Sequence, residues 1–140
     1  MTNMQTLMNQ AYARWQALEH QQWSQEDFWD QLDSKERFAV FLGNLNHQVQ
    51  NGGFLQWWSN GYATPETFGY IKRACNRIGT DSAKQVGNMV TCAEDICEEY
   101  NAGEVSWRDM NDTFSSLDPI FYAICDQFIA DAEAYLTQQQ

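Results

Sequence analysis

Basic residues all but vanish from the second part of this chain. Between Gln85 and Gln140 only Arg108 is basic, against Glu94, Asp95, Glu98, Glu99, Glu104, Asp109, Asp112, Asp118, Asp126, Asp131 and Glu133. Of the net charge of −11, −10 lies there and −1 in Met1–Lys84. A segment so short of cations disfavours direct binding to nucleic acid or to an anionic membrane, and it favours a basic partner. Histidine is scarce as well. His20 and His47 are the only two, and neither has the spacing of a metal ligand or of a base set beside a nucleophile. The four cysteines, Cys75, Cys92, Cys97 and Cys125, include no CxxC pair and lie at or beside apolar helical positions, which predicts buried free thiols.

Long apolar runs are missing. No stretch approaches the roughly 20 residues of a membrane helix, and Met1-Thr2-Asn3-Met4-Gln5 lacks the basic start and apolar centre of a secretory leader, so a cytoplasmic protein without a membrane role is expected. Glu94 with Glu98 and Asp95 with Glu99 place carboxylates about 6 Å apart along a helix. Without a histidine or a calcium-binding loop nearby they predict no metal site. Gly52-Gly53 lacks the lysine and further glycines of a phosphate-binding loop. The expectation is a protein with no catalytic residues, no metal and no cofactor.

What is present is helical patterning with 44% hydrophobic and 14% aromatic residues, enough for a packed core in a chain that buries about two thirds of its unfolded surface. Met4, Leu7, Met8, Ala11, Tyr12, Trp15 and Leu18 recur at steps of three and four, predicting a first helix over about Asn3–His20. Ser24-Gln25-Glu26-Asp27 opens a short helix carrying Phe28, Trp29 and Leu32. Asp33 or Ser34 caps the next, whose stripe of Phe38, Phe41, Leu42, Leu45 and Val49 runs to a stop at Asn51-Gly52-Gly53. An aromatic wedge, Phe54-Leu55-Gln56-Trp57-Trp58, follows and is itself stopped at Asn60-Gly61. Thr64-Pro65 starts a helix that ends at Gly79. Asp81 or Ser82 caps its hairpin partner, over about Ser82–Tyr100. Ser106 opens a short helix with Met110 and Phe114, and Asp118-Pro119 caps a last one bearing Ile120, Phe121, Ile124, Cys125, Phe128 and Leu136. No strand pattern or internal repeat interrupts this. The fold expected is a single compact all-α domain over residues 1–140, with about six to eight helices joined by hairpins and tight Gly/Asn corners.

The corner carries a resemblance. Asn51-Gly52-Gly53-Phe54, then Gln56, the pair Trp57-Trp58 and Asn60, followed by Ile78-Gly79, Leu117-Asp118 and Phe121-Tyr122, are similar to the motifs of a bacterial all-helical family formerly of unknown function. Its characterised member mimics double-stranded DNA and occupies the DNA-binding face of a transcriptional regulator. The resemblance runs from about Ser34 to Phe128, with residues 1–33 as N-terminal helices packed on that region. It departs from the family at Gln48, where a glutamate is often found. It implies a non-catalytic binding protein that competes with DNA for a basic DNA-binding protein. The residues that would do this are Glu94, Asp95, Glu98, Glu99, Glu104, Asp109 and Asp112. The cluster Glu94/Asp95/Glu98/Glu99 works against its own helix dipole by a few tenths of a kcal/mol per charge, so local stability does not account for it.

Ten excess charges match the charge on about 17 Å of duplex. One helix cannot reach that density, so either several segments contribute or two protomers combine. The alternative reading is an immunity-type or adaptor domain that holds a toxin or enzyme through the wedge, with Trp57 or Trp58 exposed as an anchor. In the first reading the wedge caps the core, and Gln56 and Asn60 are structural amides.

Overall fold

The computed structural model describes residues 3–19 and 29–139. Among them there is no strand, and five long helices carry the fold: α1 (Met4–Glu19), α2 (Ser34–Ser59), α3 (Pro65–Ile78), α4 (Asp81–Asn101) and α5 (Trp107–Gln138). The all-α expectation holds. Of the short helix expected after Ser24, residues 24–28 lie outside the described residues. Residues 29–31 are helical, Trp29 lies against Phe41 at 4.9 Å between ring centroids, and Leu32 is buried.

The N-termini follow the caps. Asp33 accepts from the Glu36 N–H while Glu36 returns a bond to the Asp33 N–H, closing a capping box. Glu36 is itself buried and held by a two-pronged pair with Arg14 of α1 at 2.8 and 2.9 Å, which ties α1 to the start of α2. Thr64 caps α3 and Pro65 sits in its first turn. The cap of α4 is Thr80 rather than Asp81 or Ser82. Thr80 is extended and accepts from the Ala83 N–H, which leaves Asp81 in the first turn, where its charge suits the dipole. Ser82 turns inward and donates to Asp131 of α5 at 2.7 Å.

One expected stop is found and one expected cap is not. At Asn51-Gly52-Gly53 the helix breaks: Gly52 (φ −155°, ψ 20°) and Gly53 (φ 76°, ψ 180°) leave helical torsions and kink the chain, and a second helical stretch carries the wedge to the end of α2. Asp118-Pro119 caps nothing, because α5 runs unbroken for 32 residues, about 48 Å. Pro119 removes one N–H, which would have bonded the carbonyl of Ser115. Both residues are exposed, so water can take its place. The other stops are as expected: Gly61 and Gly79 have φ of 86° and 73°, the latter ending α3 and folding α4 back against it as a hairpin.

Helix α5 is the spine. It packs on both α2 and α4, α1 packs on α2, and α3 on α4. Phe54, Phe114, Phe121 and Phe128 meet in the resulting core with Leu42, Leu45, Ile71, Val86 and Val90. Trp57 is fully buried, edge-on to Phe54 and Phe68 at 6.2 and 5.3 Å. Trp58 is half-buried against Tyr100. Cys75, Cys97 and Cys125 are buried free thiols as expected, whereas Cys92 is exposed.

Candidate partner-binding acidic face

Seven acids were assigned to one face by sequence, and the geometry divides them. Along α4 the inward positions are Val86, Met89, Val90, Ala93 and Cys97, which turns Asp95, Glu98 and Glu99 toward solvent. The helix ends through Ala102, and Gly103 at φ 75° brings the chain back so that the Glu104 N–H reaches the Glu99 carbonyl at 2.9 Å. Glu104 is thereby held over the end of α4. Ser106 then caps α5 with Asp109 closing the box, and burial of Met110 and Phe114 leaves Asp112 outward. One turn of chain joins the two acidic helix ends.

Their partners differ. Glu94 is ion-paired with Lys72 of α3 and partly buried. Asp109 accepts from the Ser106 N–H at 3.2 Å. Asp95, Glu98, Glu99, Glu104 and Asp112 are exposed and carry no ion pair or side-chain hydrogen bond among the described residues. The local field is felt beneath them: burial pushes the Cys97 thiol up to about 11, with Glu94 and Glu98 adding to the effect.

Other acids of the second half serve the fold. Asp131 accepts from Ser82 and Gln127, which holds its carboxyl below the ordinary range. Glu133 accepts from the Met4 N–H at 2.8 Å, pinning the start of α1. Asp118 accepts from the Phe54 N–H at 2.9 Å, 64 residues away. Sequence reading missed that bond by taking Asp118 for a helix cap. It supplies the carboxylate that the wedge lacks at its own N-terminal end, since Gly53 has no side chain to cap with. Burial nonetheless raises the Asp118 pKa, with the Phe54 bond pulling it back. Next to it, the Tyr122 hydroxyl donates to the Val49 carbonyl at 3.0 Å, whose usual helical partner, the N–H four residues on, belongs to Gly53 at the break.

The polar face of the corner is an amide cluster. Gln48 Oε1 accepts from Gln56 at 3.0 Å and from Asn60 at 2.8 Å, while Asn51 donates to Gln56 Oε1 at 3.0 Å. Asn51, Gly52, Gly53, Phe54, Gln56 and Asn60 thus form a braced kink. Gln48 needs only its oxygen for this, so a carboxylate in its place could accept the same two bonds. His47 is exposed and bonded to Gln5, and no group of three or more metal-ligating side chains exists among the described residues. No helix among the described residues is long and apolar enough to cross a membrane.

The corner and the Leu117-Asp118 and Phe121-Tyr122 motifs, distant in sequence, therefore touch in space. Residues 30–139 match the family of DMP19-like proteins, the DNA-mimic family that these motifs resemble, and the chain belongs to it. No curated protein and no solved structure matches the chain.

Proposed function

We propose that this DMP19-like protein binds a basic DNA-binding protein through the end of α4 and the start of α5 and competes there with duplex DNA. The observation that carries the reading is the set of five exposed carboxylates, Asp95, Glu98, Glu99, Glu104 and Asp112, left without counter-charge among the described residues, in a half of the chain whose other acids, Glu94, Asp109, Asp118, Asp126, Asp131 and Glu133, find bonds. An uncompensated cluster at a helix C-terminus costs local stability, and a cationic partner offsets that cost. Glu94 and Asp109 shape the face and add less, because Lys72 and the Ser106 N–H already engage them.

Five charges correspond to about 9 Å of duplex axis. That is a small footprint, and a second protomer placed beside the first would extend it to about 17 Å. The adaptor reading through the wedge gains no support, since Trp57 is inside the core and Trp58 covers Tyr100.

The test replaces Asp95, Glu98, Glu99 and Asp112 together with lysine. Exposed ion pairs are each worth about 0.2–1 kcal/mol, and reversal adds repulsion, so capture of the partner from lysate at low salt should fall at least tenfold. Helical content should be unchanged. Wild-type binding should weaken as salt rises and be displaced by duplex DNA. Undiminished binding by the four-lysine variant, with loss in Trp58→Ala, would move the interface to the wedge.

A further inference from the structure

At one end of the molecule the charge pattern inverts. The chain has 19 acids for 8 bases, and among the described residues Arg14 and Lys72 are the bases that form ion pairs. Lys35, Arg37 and Arg77 instead line a cleft of about 420 Å³ between the start of α2, the end of α3 and the end of α5. None of them makes an ion pair among the described residues. Arg73 stands one turn before Arg77 on α3, also unpaired. The acids that flank Lys35 in sequence are engaged elsewhere, Asp33 capping α2 and Glu36 holding Arg14, while Arg37 donates to the Trp29 carbonyl at 2.9 Å.

The walls are aromatic and fixed. Tyr70 stacks on Phe41 at 4.2 Å and Tyr135 on Phe38 at 5.5 Å, so both phenols that line the cleft are backed by core rings. Burial pushes the Tyr70 hydroxyl up to about 12, while the positive charges of Arg37, Arg77 and Arg73 pull it back. The charged side chains are donors only, and at neutral pH the phenols can donate as well. Gathering like charges costs energy that an anion would recover.

We propose that this cleft is a binding site for a phosphate monoester on a small organic body. Arg77 and Lys35 hold the phosphate, which guanidinium and ammonium groups take by charge-assisted bonds. The Tyr70 and Tyr135 rings flank the organic part. The volume lies within the range of small-molecule pockets and exceeds what a bare phosphate fills. The site is independent of the acidic face, which lies on α4 and the start of α5 rather than on the elements that line the cleft.

Calorimetric titration of the full chain with adenosine 5′-monophosphate and with inorganic phosphate, at matched ionic strength in chloride, tests it. Saturable binding is expected for both, with the nucleotide at least tenfold tighter. Arg77→Gln and Lys35→Gln should each weaken the nucleotide at least tenfold with unchanged helical content. Arg77 is exposed and Lys35 half-exposed, so both variants should fold, and each reports separately. No saturable heat at millimolar nucleotide, equal affinity for the two ligands, or binding untouched by both substitutions would overturn the assignment.

Discussion

Replacing Gly53 by alanine should be among the most damaging single-methyl additions this protein can receive. Its torsions, φ 76° and ψ 180°, belong to a region that only glycine occupies freely. The strain of putting alanine there is about 1–3 kcal/mol. A Cβ would also stand 2.3 Å from one oxygen of Asp118 and 2.9 Å from its carboxyl carbon, so the carboxylate must leave. Phe54 is fully buried, and its N–H then loses its acceptor at a further cost of about 1–3 kcal/mol. The total, about 2–6 kcal/mol, is a large share of the roughly 5–15 kcal/mol that holds a domain of this kind together. Gly61→Ala isolates the first contribution: φ there is 86°, but a Cβ meets nothing within 4 Å, so about 1–2 kcal/mol is expected. Urea unfolding followed by far-ultraviolet circular dichroism measures both. A double-mutant cycle with Asp118→Ala separates collision from strain, since without the carboxylate the added methyl has nothing to displace. The double variant should lose about 1–3 kcal/mol less than the two single losses combined. Equal losses in Gly53→Ala and Gly61→Ala, or additivity in the cycle, would show that Asp118 does not brace the corner.

Thiol chemistry and acid stability give two further checks. Cys92 is exposed, whereas burial pushes Cys75 up to about 12 and Cys97 up to about 11, so an aromatic disulfide reagent at pH 8 should label one thiol quickly and the rest only on unfolding. A fast phase that survives Cys92→Ser would contradict the burial of Cys75, Cys97 and Cys125. The Asp131 carboxyl, held below its ordinary 3.8 chiefly by the Ser82 hydroxyl, binds its proton more readily in the unfolded chain. Its stabilising contribution is therefore complete above that value and is lost as pH falls through the lower folded pKa. Asp131→Asn should lower stability at pH 6 and flatten the decline between about pH 4 and pH 2; an unchanged acid limb would mean that the Ser82 bond is not formed in solution.

Helix class, caps and most stops were legible in the sequence because the interactions that set them reach only a few residues. Asp33 with Glu36, Thr64 with Pro65, and Gly79 each act within one turn, and apolar positions at three and four residue steps name the inward face without reference to any other helix. Even there, Ser82, one of the two expected caps of α4, is engaged by Asp131 of α5 instead, which is a tertiary fact. The two glycines announced a break, but not that α2 would continue beyond it. Non-helical torsions at Gly52 and Gly53 reset the phase of the helix, so counting residues from Phe38 or Val49 cannot say which indole of the wedge is inside. Packing against Phe54 and Phe68 selected Trp57. The sequence likewise determined that the second half is acidic, by composition alone. It could not determine which carboxylates are free, because Lys72, the Phe54 N–H and the Met4 N–H approach Glu94, Asp118 and Glu133 from 22, 64 and 129 residues away. Charge is a property of the residue, but whether that charge is spent inside the fold or offered at its surface depends on what long-range packing brings within about 3 Å of it.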